Sequence, residues 1–264
     1  MNDSQKPRLS LAAGYHLRAR PLCDGRIKMK DFELEAVPFE NDGEGHDEFL
    51  SGIDACVHPT KLPTFNPAEA LAYSCNYFFA TTGKRLDRET FTELLHEFGF
   101  GRPTGIEDQS ELSGVLARNK WQPQSPLGEG PFLQVTPVQM ATAYAALFNG
   151  GALLKPNYDG VRKVRAQIHI DDKERSMLLD GMRGAVTFGT AEKANLDSLP
   201  VYIVGKTGTS TQLGGFRTQG WFVGVAFEPD APPDPENAQL LVVIYLKNAH
   251  GSDAAKLARP IFEG

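Results

Sequence analysis

Apolar positions first recur at helical spacing after Asn66. Asn66-Pro-Ala-Glu69 combines an N-cap residue, a proline at the first helical position and a carboxylate that can bond back to the cap. The helix it opens carries Leu71, Tyr73, Ser74, Cys75, Phe78 and Phe79 and is expected to run to Gly83, with Tyr73, Phe78 and Phe79 in the core. Asp87 caps a second helix that presents Phe91, Leu94, Leu95 and Phe98 on one face and stops at Gly99. Thr136-Pro-Val-Gln139 repeats the capping pattern for a third helix, ended by Asn149-Gly-Gly151. A fourth is predicted from about Asp172 to Gly189, and a last one, rich in Ala and Leu, behind a cap at Ser252.

Strand patterns fall in the last third: Val201–Gly205, Trp221–Phe227 and Leu240–Tyr245. Gly214-Gly215 marks a turn between the first two, which predicts antiparallel neighbours, and Pro229-Asp-Ala-Pro-Pro-Asp-Pro235 breaks the chain before the third. Upstream, Leu9 to Ala13 is apolar and helix-compatible, Cys23-Asp-Gly25 is a turn, and Arg26 to Lys30 alternates like a short strand. Residues 31–63 are acidic and Gly-rich and read as a long excursion without a core of its own. The pattern describes a single α+β domain over 1–264. It has an irregular start (1–65), a mainly helical lobe (66–155) and a sheet lobe flanked by helices (156–264).

Composition narrows the function classes. Hydrophobic content of 41% and charged content of 23% suit a folded protein. A net charge of -6 and the lack of any Lys/Arg block argue against nucleic acid as a partner. No apolar run is long enough for a membrane span, and the polar start Met1-Asn-Asp-Ser4 is unlike a signal peptide. The three cysteines form no CxxC pair and the histidines have no ligand spacing, so no metal or cofactor is expected. Cys75 reads as a small buried residue, and pairing of Cys23 with Cys56 in an oxidising compartment stays open.

Two short segments carry candidate chemistry. Lys206-Thr207-Gly208-Thr209 follows the apolar strand and sets a fixed cation beside two hydroxyls, with Gly208 leaving room for a ligand backbone. Such a group would clamp a carboxylate and bias the protonation of a neighbouring serine. Ser74-Cys75-Asn76 offers a hydroxyl to relay a proton and an amide to hold a peptide. On an unbroken helix, though, Ser74 and Asn76 point in different directions.

In this order the two segments resemble the β-lactamase and penicillin-binding superfamily, and in particular the transpeptidase domain of class B penicillin-binding proteins. The likeness extends through Glu69 to Phe78, Phe98 to Ile106, Glu111-Leu-Ser-Gly114 and Leu127-Gly-Glu-Gly130. It continues in Val135 to Ala141, Asn149-Gly-Gly151, Gly181-Met182, Gly189-Thr190 and Trp221-Phe-Val-Gly224. The resemblance implies a peptidoglycan D,D-transpeptidase of the cell envelope, extracytoplasmic. Such an enzyme takes D-Ala-D-Ala-ended stem peptides, is imitated by β-lactams and works among other cell-wall synthesis proteins. It casts Ser74 as proton relay, Asn76 as substrate holder, Lys206 as the site cation, and Thr207, Gly208 and Thr209 as substrate-binding residues.

One element of that pattern is missing. The family's nucleophilic serine has a lysine one helical turn on, and no serine of these 264 residues has lysine three positions later. If Lys6-Pro7 is a remnant of that motif, Asp3 stands at the nucleophile position and Ser4 is one residue out of register. The expectation is an N-terminally incomplete or degenerate transpeptidase domain, inactive in cross-linking. The alternatives are a non-catalytic muropeptide- or partner-binding module and, last, a β-lactamase-like hydrolase.

Overall fold

The computed structural model describes residues 66–106, 110–122, 124–211, 218–229 and 233–264, together with the backbone of two earlier strands. Those strands, β1 (Arg8–Gly14) and β2 (Glu33–Phe39), pair in parallel, with Arg8 beside Glu33 and Gly14 beside Phe39. The expected helix-compatible stretch at Leu9 to Ala13 is thus a strand, and the supposed excursion contains another. An apolar run of this length does not discriminate a helix turn from a strand by periodicity. Cys23, Cys56, the strand expected at Arg26 to Lys30 and the Gly214-Gly215 turn lie outside the described residues.

Helix α1 (Pro67–Ala72) starts as its sequence directs: Asn66 Oδ1 accepts the Glu69 N–H at 2.8 Å and Glu69 Oε2 accepts the Asn66 N–H at 3.0 Å. The helix expected to continue to Gly83 instead breaks, and α2 (Asn76–Gly83) begins after a turn at Tyr73 to Cys75. Tyr73, Phe78 and Phe79 are half-buried rather than enclosed. Helix α3 (Arg88–Glu97) is capped by Asp87 as predicted. Short strands β3 (Val115–Leu116) and β4 (Leu133–Gln134) pair behind it, and Trp121 stands edge-on between Phe91 and the fully buried Phe132.

The capping box of α4 (Pro137–Phe148) does more than start a helix. Gln139 is buried; its Oε1 accepts the Thr136 N–H while its Nε2 donates to the Arg102 and Ser113 carbonyls at 2.9 and 2.8 Å. Beside it, the Glu111 carboxylate receives the N–H groups of Thr104 and Gly105, each at 2.7 Å. Burial opposes the charge on Glu111, but these hydrogen bonds outweigh it and hold the carboxyl below the usual range. The Gly-rich loop after α3 is pinned by these two side chains.

A hairpin of β5 (Ala152–Leu154) and β6 (Val164–Gln167) leads into α5 (Asp172–Thr187). The main sheet follows: β7 (Tyr202–Thr211), β8 (Thr218–Phe227) and β9 (Ala238–Lys247), antiparallel in that order. Each strand outruns its apolar stretch. Cross-strand hydrogen bonding, not hydrophobicity, carries the pairing out to Thr211 opposite Thr218. The final helix α6 (Gly251–Glu263) starts behind His250, not Ser252, because the Asp253 carboxylate accepts the His250 N–H at 3.2 Å.

Helices cover both faces of the sheet. Ile203, Phe222 and Val242 pack on Ala254, Ala255, Ala258 and Phe262 of α6. On the opposite face Val204, Val225 and Phe227 meet Phe148 of α4 and Met182 of α5, with Leu71 of α1 alongside. The approach of α1 to α5 depends on two glycines. A methyl group at Gly181 would stand 2.8 Å from Leu71 Cβ, and one at Gly189 would stand 2.2 Å from the Ala72 carbonyl oxygen. Gly181→Ala should therefore lower stability by about 1–3 kcal/mol in a denaturant titration, the usual cost of overpacking. A variant as stable as the parent would show that α1 does not seat as closely as described.

Candidate active site

Residues 73–75 do not continue α1, because Ser74 takes a left-handed backbone at φ 52°, unusual for a side chain larger than glycine. Its N–H reaches back to the Leu71 carbonyl at 3.2 Å, and that of Cys75 to Ala70 at 2.9 Å, so the turn closes on α1 itself. Cys75, buried as expected, then caps α2 by accepting the Phe78 N–H on Sγ at 3.5 Å. The break removes the geometric objection to a Ser-x-Asn pair: Ser74 and Asn76 no longer sit on one continuous helix. Asn76 occupies the first position of α2, and its side-chain amide has no hydrogen-bond partner among the described residues.

Lys206 lies inside β7, opposite Val223 of β8, rather than at a strand end. Its Nζ donates to Ser74 Oγ at 2.8 Å and to the Thr207 carbonyl at 2.7 Å. The residue retains some exposed surface, yet the ammonium is buried, and that burial pushes its pKa down to about 8. Among the described residues no ionisable neighbour contributes to the shift.

Strand alternation turns the neighbouring threonines to the other face. Thr207 is buried, with its hydroxyl 2.5 Å from that of Thr190. Thr209 is exposed, and its Oγ1 accepts the Gly251 N–H at 2.9 Å, tying β7 to the first residue of α6. Gly208 shares the Lys206 face and lies opposite Trp221, whose ring is 4.5 Å from that of Tyr245 on β9. Ser74 and Lys206 are thus brought into contact, Asn76 follows one turn position away, and Thr207 and Thr209 flank the cation from the opposite face. Lys6 lies outside the described residues.

Two participants were not assigned from sequence. Thr190 follows α5, donates its N–H to the Ala72 carbonyl at 3.2 Å and holds Thr207, so one residue links α1 to β7. Its signal was the Gly189-Thr190 pair, which carried a likeness but no role. Trp221 likewise belonged to a stretch, Trp221-Phe-Val-Gly224, that carried a likeness but no role; Tyr245 had no signal, and only the strand register sets the pair beside Gly208.

Comparison with known proteins identifies the family and the fold. Residues 52–263 match the family described as penicillin binding protein transpeptidase domain. The chain is 30% identical over 203 residues to stage V sporulation protein D of Bacillus subtilis, covering 70% of this chain and 30% of that protein. It is 26% identical over 239 residues to the peptidoglycan D,D-transpeptidase MrdA of Acinetobacter baumannii, covering 75% and 34% respectively. This chain therefore spans about a third of the length of these relatives. In fold it is similar to penicillin-binding protein 2 of Helicobacter pylori, with a TM-score of 0.63 at 22% identity, over 76% of this chain and 40% of that one. The Helicobacter pylori protein is also known in complex with MreC. The α+β architecture, with its antiparallel sheet between helices, is the one these proteins share. By the extent of the family match, the chain belongs to the transpeptidase-domain family of penicillin-binding proteins.

Proposed function

We propose that Ser74, Asn76, Lys206 and the Thr207-Gly208-Thr209 stretch form the peptide-binding part of a D,D-transpeptidase site for D-Ala-D-Ala-ended stem peptides. The observation that carries this reading is the hydrogen bond from Lys206 Nζ to Ser74 Oγ, which joins residues 132 positions apart. A buried ammonium held by one hydroxyl and one backbone carbonyl, with the Asn76 amide two residues on unpartnered among the described residues, suits a ligand that brings its own carboxylate and peptide groups. The helical segment 66–155 and the sheet segment 156–264 act as the two walls of one domain. The family setting supports an extracytoplasmic place of work, with cell-wall synthesis proteins nearby and β-lactams entering the same groove as peptide mimics. No described helix is long and apolar enough to cross a membrane.

Cross-linking by the family's own nucleophile is not proposed for these 264 residues, because none of their serines has a lysine three positions on. The same fact favours the second reading, a binding module that recognises muropeptides without joining them. Both readings require the groove to hold a stem peptide.

Titrating the isotope-labelled protein with a D-Ala-D-Ala-ended peptide, followed by NMR, tests that requirement. Lys206→Met should weaken binding by about tenfold or more, as expected for losing a hydrogen bond to a charged group. A C-terminally amidated peptide should suffer the same loss, and equal binding of acid and amide would remove the basis of the proposal. The cation is present below its folded pKa and lost above it, so affinity should fall as pH rises through about 8. Stability should move the other way. Between about 8 and the ordinary lysine value of 10.5 the unfolded chain binds the proton and the folded one does not, so stability rises over that window. Lys206→Met should abolish that rise in melts run across the range.

A further inference from the structure

We infer that the groove between α4, the tip of the β5–β6 hairpin and the start of β9 docks a partner protein, through a short acidic segment that carries one bulky apolar side chain. The inference uses none of the residues of the stem-peptide reading, so either can fail alone.

The groove is a cavity of about 1030 Å³ that opens to solvent. Its floor is apolar: Ala141 and Ala145, one turn apart on α4, with Leu154 of β5 and Leu241 of β9. The small side chains on α4 give it depth. Leu241 pairs with Val225 of β8, which pairs with Val204 of β7. The groove therefore stands two strands across the sheet from the strand that carries Lys206. A site built for a small ligand encloses it, whereas this trough is open and roomier than one side chain requires. A length of polypeptide fits it better.

Charge decides what kind. The chain carries a net charge of -6, yet residues 155–165 hold Lys155, Arg162, Lys163 and Arg165 against one carboxylate, Asp159. Lys155 and Arg162 line the groove, and Lys163 follows them, exposed. The side chains of these three have no ion-pair or hydrogen-bond partner among the described residues. Glu236 stands on the opposite lip. The acidic residues of an occupant therefore fall on the hairpin side, with its apolar side chain over the floor. Cations confined to one lip of an apolar trough complement an acidic segment with an apolar anchor.

The hairpin is also preorganised. Asn157 Nδ2 donates to the Lys155 and Val161 carbonyls at 3.3 and 2.7 Å, and Asp159 Oδ1 accepts the Val161 N–H at 2.9 Å. Arg165 donates to the Thr104 carbonyl at 2.9 Å and Gln167 to that of Gly150 at 2.6 Å, which tie the hairpin to the body. A partner thus meets a formed surface and loses little to ordering it. Tyr158, 87% exposed, and Val161, 50% exposed, add apolar area beside the cations. Backbone pairing along β6 is a poorer use of this surface, because its register shift and its charges are features that blunt an edge.

A display library of random peptides about twelve residues long, selected on the parent protein and counter-selected on folded Arg162→Glu/Lys163→Glu, tests the inference. The recovered peptides should share Asp or Glu beside a Leu, Phe or Trp. Made as C-terminal amides and followed by fluorescence anisotropy, they should bind the charge-reversed variant at least about tenfold more weakly, and likewise Ala145→Leu, which fills the floor. Raising salt from about 50 to about 500 mM should weaken binding, and a D-Ala-D-Ala-ended peptide should not displace them. The inference is overturned by peptides with no shared acidic pattern, by equal affinity for parent and charge-reversed variant, or by displacement with the D-Ala-D-Ala peptide. A parent dimer that the charge reversal dissolves also overturns it, since the groove then belongs to a second copy. Should Ala145→Leu fail to fold, replacing the apolar residue of the peptide by serine probes the floor from the other side, and unchanged affinity overturns the inference equally.

Discussion

The seat of α1 against α5 is the constraint on which the rest of the site depends. Gly181 and Gly189 let the two helices approach until the Ala72 carbonyl accepts the Thr190 N–H. That contact fixes where α1 ends and hence where the Ser74 turn stands. Thr190 then grips Thr207 through its hydroxyl, so a single residue sets the height of α1 relative to β7. Lys206, next along the strand and facing the other way, meets Ser74 because both ends of this linkage are held.

Such rigidity has an electrostatic consequence. An ammonium held by a serine hydroxyl and a backbone carbonyl, with no carboxylate in reach among the described residues, loses hydration without gaining a counter-charge from them. The native state tolerates this at some expense in stability, a pattern that belongs to sites that bind an anion or move a proton. Glu111, a half-buried carboxylate, is treated in the opposite way. Its hydrogen bonds from Thr104 and Gly105 satisfy the carboxylate and leave it a structural pin.

Local signals were read well where neighbours within four residues decide the outcome. Asn66 with Glu69, Asp87 with Thr90, and Thr136 with Gln139 form the caps their spacing announces. Signals failed where competing periods were short or where a distant partner intervened. Leu9 to Ala13 was too brief to separate helix from strand, and the strand ends were set by partners rather than by apolar residues; the cap at His250 in place of Ser252 is a local miss, made by Asp253 three residues on. The break at Ser74 is the most instructive case. Nothing in Ala-Tyr-Ser-Cys-Asn forbids a continuous helix, and a left-handed serine is locally unfavourable.

The sequence by itself determined the family, the caps at Asn66, Asp87 and Thr136, the antiparallel pairing of the first two sheet strands and the residue types available for chemistry. Each of these is written in nearest neighbours or in the spacing of short motifs. Only the tertiary structure decided that Ser74 leaves its helix, that Lys206 meets it across 132 residues, that Thr207 turns to Thr190 and that Trp221 and Tyr245 stand beside Gly208. These depend on how closely α1 seats on α5 and on the register of β7 with β8. Both are sums of many long-range contacts, and they outweigh the modest local cost of bending one turn of backbone.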